Sequence, residues 1–229
     1  VVEQAWKVLV RANRIHDIVN EERQSLAGTF SLGILPTIAP YLLPRFFTRL
    51  QREHPEADIR VMEMKTADIK RALNRGELDA AILVSLDDMD HYVQTPLFYE
   101  QFLAYVSRGD ALFSHKAIKT SDLNNEFLWL LDEGHCFRDQ LVKFCHLKSA
   151  DSSKKTYSLG SIETFMRMVE GGQGVTFIPE LALEQLSPAQ HELVRPFALP
   201  IPTREVVLLT TRAFVRHSVL NLIADAVRS

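Results

Sequence analysis

The chain has 229 residues, of which 46% are hydrophobic and 24% charged, with ten prolines and nine glycines. This composition excludes a disordered chain, a collagen-like chain and a small disulfide scaffold, and the length suffices for one large or two small domains. Apolar runs reach only about five residues, far short of the roughly 20 that span a bilayer. We therefore expect no membrane segment. The absence of a signal pattern and a first residue other than methionine predict a piece of a longer, cytoplasmic protein.

The net charge and the number of cysteines exclude further classes of function. The formal net charge is −3 and the isoelectric point is about 6.3, whereas a domain that bound DNA by itself would need a basic face. If the protein binds nucleic acid, we expect another segment to bind it. Two cysteines without a CxxC spacing leave three possibilities: inert core thiols, one reactive thiol, or a switchable pair.

Residues 1–25 are predicted to form a helix with an apolar seam. The seam recurs at alternating spacings of four and three residues, the rhythm of a coiled coil, and a second apolar stripe widens it. We expect a linker or dimerisation helix; the alternative is a helix packed on its own domain. The seam consists of Val1, Ala5, Val8, Ala12, Ile15 and Val19, and the second stripe of Val2, Trp6, Leu9 and Ile18.

From Thr29 onward, strand-like and helix-like segments alternate in two series, which predicts an α/β fold. In the first series, strands at 30–35, 58–64 and 78–85 alternate with helices at 38–53 and 67–75, and a long extended stretch covers 93–106. In the second, strands at 127–131, 156–159 and 175–178 alternate with helices at 139–145 and 161–170, before a strand at 205–211 and a helix at 218–227.

These two series predict two Rossmann-like subdomains after the linker helix. We assign residues 26–97 and 200–229 to subdomain I and residues 98–199 to subdomain II, with a ligand cleft between them. The common catalytic motifs are absent from the sequence. Gly171, Gly172 and Gly174 are predicted to end a helix, because glycine adopts the left-handed conformation readily.

The segment 132–146 contains the residues that the sequence indicates as chemically reactive. Gly134 permits a sharp turn that would leave Cys136 at the start of the following helix, where unpaired amides and the helix dipole favour a thiolate. His135 and Arg138 add donors or positive charge, and each effect lowers a thiol pKa. The thiolate is the form that attacks peroxide.

Cys145 lies nine positions after Cys136, so a continuous helix would separate their Cα atoms by roughly 13 Å. A disulfide needs about 4.4 to 6.8 Å. If the two cysteines bond, the intervening helix must unwind, which is how a redox switch is built. Two other interpretations stay open: Cys145 as a buried small hydrophobe, and a zinc site formed by the two cysteines with His135 and His146. The spacing alone does not decide among these interpretations, and we expect no metal and no cofactor.

Several motifs resemble a known family. The string at 134–140 with Phe144 and Cys145 closely resembles the sensing loop of the OxyR group of LysR-type transcriptional regulators, which respond to hydrogen peroxide. The stretches at 33–44, 161–164 and 172–179 resemble LysR-type regulatory domains more generally, so the resemblance covers residue 26 to the end. It implies two subdomains like those of type 2 periplasmic binding proteins, preceded by a linker helix.

The resemblance also implies roles for single residues. It makes Cys136 the peroxidatic cysteine and Cys145 the resolving one, whose disulfide triggers local refolding. The peroxide pocket would comprise Thr37, Thr66, His135 and Arg212, and Arg138 and Asp139 would change contacts during the switch. Thr37 and Thr66 have a second interpretation as helix N-caps. Phe137 and Ala39 depart from the commonest residues of the group, which are aliphatic and glycine respectively.

The partners implied by the resemblance are hydrogen peroxide, further copies of the chain in a homodimer or homotetramer, and DNA through a winged helix-turn-helix domain that would precede Val1. RNA polymerase and a glutaredoxin- or thioredoxin-type reductant complete the set. The chain would then be a sensor and not an enzyme. Two alternatives compete with it: a thiol peroxidase that uses the same cysteines, and a LysR-type domain that binds a small organic effector in its cleft.

Overall fold

The computed structural model describes residues 2–23, 25–131, 136–145 and 161–229. The described helices are α1 (Val2–Glu22), α2 (Ala39–Glu53), α3 (Thr66–Arg75), α4 (Cys136–Cys145), α5 (Ile162–Glu170), α6 (Pro188–His191) and α7 (His217–Arg228). The described strands are β1 (Thr29–Ile34), β2 (Asp58–Glu63), β3 (Ala80–Val84), β4 (Tyr92–Val106), β5 (Val175–Pro179), β6 (Val194–Arg195) and β7 (Thr203–Thr211). Among these helices, none combines the length and the hydropathy needed to cross a membrane.

The chain divides into two compact units. Unit 1 comprises Val1–Phe98 and Glu205–Ser229, and unit 2 comprises Tyr99–Arg204. The chain passes from one unit to the other within β4 and again within β7. The sequence analysis placed these crossings after residues 97 and 199.

Unit 1 contains the βαβαβ arrangement that the alternation of patterns predicts. Strand β1 runs parallel to both β2 and β3, and β7 adds antiparallel to β3. All five residues of β3 are buried, which explains its continuous apolar sequence at the centre of the sheet. The predicted α/β class is confirmed.

Helix α2 shows why this sequence forms a helix at this place. A proline lies in its first turn, where the backbone N–H groups have no acceptor within the helix, so the N–H that proline lacks is not needed. Four large apolar residues recur at helical spacing and are buried, so one face of the helix lies on the core. These residues are Tyr41, Leu42, Phe46 and Leu50.

Unit 2 is built around the second half of β4, which pairs antiparallel with both β5 and β6. Helix α5 begins after Ser161, whose hydroxyl accepts a hydrogen bond from the Thr164 amide at 3.1 Å. It ends at Glu170, and Gly172 follows with a φ of +112°, in the left-handed region that the glycine prediction required.

One predicted strand is wrong and one is untested. Residues 127–131 make only an isolated parallel bridge, between Leu128 and Val175. The backbone pairing does not continue past this bridge, because the Trp129 carbonyl accepts a hydrogen bond from the Thr176 hydroxyl at 2.9 Å instead of from a backbone amide. The strand predicted at 156–159 lies outside the described residues.

Helix α1 exposes its predicted seam. Every described seam side chain is exposed, with Val8 and Ile15 both 65% accessible. The C-terminal part of α1 is held against the rest of unit 1 by two contacts. The Glu21 carboxylate accepts a hydrogen bond from the Ser218 amide at 3.0 Å, and Asp17 lies 3.7 Å from the Arg216 guanidinium. The seam is therefore open to a partner, and dimerisation through it stays a prediction.

Candidate functional site

The two cysteines lie at opposite ends of α4. Cys136 is the first and Cys145 the last residue of α4 that the structure describes. The two do not form a disulfide, and both are buried, with 6% and 3% of their surface exposed. The residues from Cys136 to Cys145 are helical, whereas Gly134, at which the sequence predicts a turn, lies outside the described residues, so the turn stays a prediction.

This placement fixes the separation of the thiols. Nine residues at a rise of 1.5 Å put the two Cα atoms roughly 13 Å apart, twice the distance that a disulfide tolerates. One zinc ion with bonds to sulfur of about 2.3 Å cannot bridge that gap either. His135 and His146 lie outside the described residues, and the part of the chain that is described contains no cluster of metal ligands. The zinc interpretation therefore fails for the helical form of α4.

Burial distinguishes Cys145 chemically. Phe137, Leu141 and Cys145 follow one another at intervals of four and are all buried, so they form one face of α4. Desolvation on this face raises the pKa of the Cys145 thiol to about 11. Cys145 is therefore protonated at neutral pH, and an uncharged thiol is a poor nucleophile.

An unsatisfied polar atom lies one turn from Cys136. The Gln140 Oε1 atom is buried and has no hydrogen-bond partner among the described residues. Residues four apart are neighbours on a helix surface, which places Gln140 next to Cys136. A free acceptor at this position can take a hydrogen bond from a protonated oxygen of a small ligand. The sequence analysis missed this residue, although the i, i+4 spacing from Cys136 was a usable signal.

Phe137 connects α4 to a buried ion pair. Its ring centroid lies 4.8 Å from that of Phe102 and 5.0 Å from the Arg204 guanidinium carbon. Arg204 in turn donates through Nε to Glu100 Oε1 at 2.7 Å. The sequence analysis missed Glu100, Phe102 and Arg204. The available signal was Arg204, a charged residue two positions before the apolar run Val206–Leu209 of the same strand.

A small cavity lies under α4. Three of its lining residues come from the helix and the others from the segment 129–131, α5 and β5, and most are apolar. The lining includes Phe137, Arg138, Leu141, Trp129, Phe165 and Phe177.

The structure also places the residues predicted to support the switch. Arg138 Nη1 lies 3.7 Å from Asp139 Oδ1, and only 15% of the Arg138 side chain is exposed, against 57% for Asp139. The pair lies on the first turn of α4, so unwinding of the helix would change both environments.

The predicted pocket residues Thr37, Thr66 and Arg212 lie in unit 1. Thr37 is buried, whereas Arg212 is exposed and donates to the Asp90 carbonyl at 2.8 Å. The Thr66 hydroxyl is buried and has no hydrogen-bond partner among the described residues. His135, the fourth predicted pocket residue, lies outside the described residues. That these residues bind peroxide stays a prediction.

The alternative interpretation of the two threonines as N-caps is wrong. The cap of α2 is Ile38 and that of α3 is Lys65, and neither makes a side-chain capping bond. Thr66 is instead the first residue of α3, where its hydroxyl is one position too late to cap the helix.

Comparison with known proteins identifies the relatives. Residues 23–229 match the model of the LysR substrate binding domain. The hydrogen peroxide-inducible genes activator of Dickeya chrysanthemi is 30% identical over 228 residues, which cover 100% of this chain and 74% of that protein. The DNA-binding transcriptional dual regulator OxyR of Escherichia coli K12 is 28% identical over 229 residues, 100% of this chain and 75% of that protein.

The solved structures agree with this result. The crystal structure of OxyR from Porphyromonas gingivalis superposes with a TM-score of 0.81 and 48% sequence identity, covering 88% of this chain and 92% of that one. Together with the family match, it confirms the predicted fold, that of a type 2 periplasmic-binding-protein-like domain.

Proposed function

The chain belongs to the LysR substrate-binding domain family, and we propose that it is the regulatory domain of a peroxide-responsive transcription factor whose sensor is Cys136 with Cys145. One observation carries the proposal: Cys136 and Cys145 are joined by one continuous helix, α4. A disulfide between them is therefore incompatible with the helix. The similarity to hydrogen peroxide-inducible genes activators supports peroxide as the signal.

The first step oxidises Cys136. Its thiolate attacks one oxygen of hydrogen peroxide, the O–O bond breaks, and the leaving hydroxide takes up a proton to become water. The product is a sulfenic acid on Cys136. The free Gln140 Oε1 atom supports this step, because it can accept a hydrogen bond from the peroxide or from the sulfenic acid.

The second step joins the cysteines. The Cys145 sulfur attacks the sulfenic sulfur, an S–S bond forms, and the sulfenic oxygen leaves as a second water. In total, two thiols and one peroxide give one disulfide and two waters. Cys145 must first leave the buried face of α4, and leaving it also removes the burial that keeps its thiol protonated.

The disulfide is the signal, because it stabilises an unwound segment in place of α4. Refolding there would alter the arrangement of the dimer or tetramer. Since the net charge of the chain is −3, we assign DNA binding to a segment outside it, as in the relatives named as DNA-binding. We also propose RNA polymerase as a partner in the cytoplasm, and a glutaredoxin- or thioredoxin-type protein as the reductant.

Residues of unit 1 extend the proposal. By the resemblance, Thr37, Thr66 and Arg212 bind or orient peroxide. The observation that supports one of them is the buried, unpartnered hydroxyl of Thr66. Leaving such a group unsatisfied costs about 1–3 kcal/mol, which a ligand could recover.

A thiol count by mass spectrometry tests the proposal. Reduced protein receives one equivalent of hydrogen peroxide, and the Cys145→Ser variant receives the same dose with a sulfenic-acid trap. We expect the wild type to lose the mass of two hydrogens and the variant to acquire the trap on Cys136. The matched control is Cys136→Ser, which should gain neither modification.

A second assay, with excess peroxide and a reductant, separates the sensor from an enzyme. Continued peroxide consumption over many turnovers would identify a thiol peroxidase. Two thiols that stay unreactive in the thiol count would contradict the sensor and favour a domain that binds a small organic effector.

A further inference from the structure

We propose that Phe137 is a positioning residue that holds α4 in its helical, dithiol form through its contacts with Phe102 and Arg204. The inference rests on the proposed function, since it concerns the equilibrium between the two thiols and the Cys136–Cys145 disulfide. It assigns Phe137, Phe102, Arg204 and Glu100 a common role, and we call these four residues the anchor cluster.

The first argument is the geometry of Phe137. The residue is 3% exposed, and its ring is tilted by 59° against that of Phe102 at a centroid distance of 4.8 Å. The Arg204 guanidinium lies 5.0 Å from the same ring and 5.7 Å from the ring of Phe102. One cation thus contacts both aromatic rings, and cation–π contacts are strongest where water is excluded.

The Arg204 side chain is held in place by a buried ion pair. Arg204 and Glu100 have side chains that are only 1% and 2% exposed, and Arg204 Nη2 lies 2.5 Å from Glu100 Oε1. Removing either charge from such a pair leaves the other buried and uncompensated, so the pair is fixed in place. The Phe137 ring therefore packs against a rigid partner on β4 and β7.

The third argument connects the anchor cluster to the redox reaction. Phe137, Leu141 and Cys145 share the buried face of α4 only while the segment is helical, because their spacing of four residues matches the helical repeat. Disulfide formation must shorten the distance between Cys136 and Cys145 by roughly half. Phe137 is covalently next to Cys136 and leaves this face when the helix unwinds. Its contacts therefore stabilise the dithiol form alone.

The test is a redox titration of wild type and Phe137→Leu in glutathione buffers. In the measured equilibrium, the dithiol and one oxidised glutathione give the protein disulfide and two reduced glutathiones. Leucine favours helix and is apolar, but it has no ring for Phe102 or Arg204 to contact. We expect the equilibrium constant for disulfide formation to rise about tenfold, which makes the potential about 30 mV more negative.

Two further variants complete the design. Phe113→Leu is the control, because the Phe113 ring also contacts an arginine, Arg195, at 4.6 Å in the same unit, and its loss should leave the potential unchanged. Phe102→Leu removes the ring that Phe137 packs against, so it should also raise the equilibrium constant for disulfide formation. If Phe137→Leu does not fold, the Phe102→Leu variant still tests the role of the anchor cluster.

The outcomes are distinguishable. A wild type that forms no Cys136–Cys145 disulfide would contradict the proposed function. A wild type that forms it, with an unchanged potential in Phe137→Leu and Phe102→Leu, would overturn the role of the anchor cluster alone. An equal shift in Phe113→Leu would also overturn it, because the effect would then report general destabilisation of unit 2.

Discussion

The two thiols of α4 have different surroundings. Cys136 lies one turn from the Gln140 Oε1 atom, which has no hydrogen-bond partner among the described residues. Cys145 lies on the buried face of α4, and that burial raises its pKa to about 11. In the proposed mechanism, the helical form keeps the Cys145 thiol protonated until Cys136 has reacted.

This difference predicts how Cys145 is alkylated. In the Cys136→Ser variant, a pKa of about 11 in place of 9.0 lowers the thiolate fraction at pH 8 by about a hundredfold. The pKa is raised, so the thiolate appears only as the pH rises toward 11. We expect iodoacetamide to modify Cys145 at least tenfold more slowly in folded protein than in urea at pH 8, as followed by mass spectrometry. Equal rates in the two conditions would show that burial does not control this thiol.

At the scale of elements, the proposed mechanism requires α4 to unwind between its two cysteines. Phe137 packs this helix against Phe102 and Arg204, and the proposed role of the anchor cluster is to oppose that unwinding.

The exposed seam of α1 gives a second prediction. An aspartate in place of Ile15 would put a charge into an apolar helix–helix contact, so we expect Ile15→Asp to weaken dimerisation at least tenfold in sedimentation equilibrium. His16→Asp is the control, because His16 is exposed but outside the seam. A dimer of unchanged affinity in Ile15→Asp, or a monomeric wild type, would contradict the role of α1.

Much of this element structure could be predicted because local patterns determine it. The spacing of apolar residues predicted α2 and β3, and the helix predicted at 139–145 corresponds to α4. The strand predicted at 127–131 failed because a side-chain hydrogen bond from Thr176, 47 positions after Trp129, ends the ladder. Local periodicity contains no information about such a contact.

The sequence indicated the cysteine pair of the candidate site but not the residues that pack against it. The threonines came from the family resemblance, and their role and that of the cysteines stay predictions. The pairing of Glu100 with Arg204 joins residues 104 positions apart on two strands, and only the folded chain brings them to Phe137. The N-cap interpretation of Thr37 and Thr66 failed because it assumed helix starts one residue away from the real ones.

At the scale of the whole molecule, unit 2 contains the helix with both cysteines and unit 1 contains the helix with the exposed apolar seam. The acidic balance of the chain argues against direct DNA binding by these residues. Under the proposed function, this domain converts an oxidation into a change of assembly and acts on DNA through another part of the protein.

The central claim is that the disulfide and helix α4 exclude each other. Amide hydrogen exchange of the peptide spanning 136–145 tests it directly, on reduced protein, on peroxide-oxidised protein, and on Cys136→Ser treated in the same way. We predict protected amides in the reduced protein, lost protection in the oxidised protein, and no change in the variant. Full protection of α4 in protein whose mass shows the Cys136–Cys145 disulfide would contradict the account.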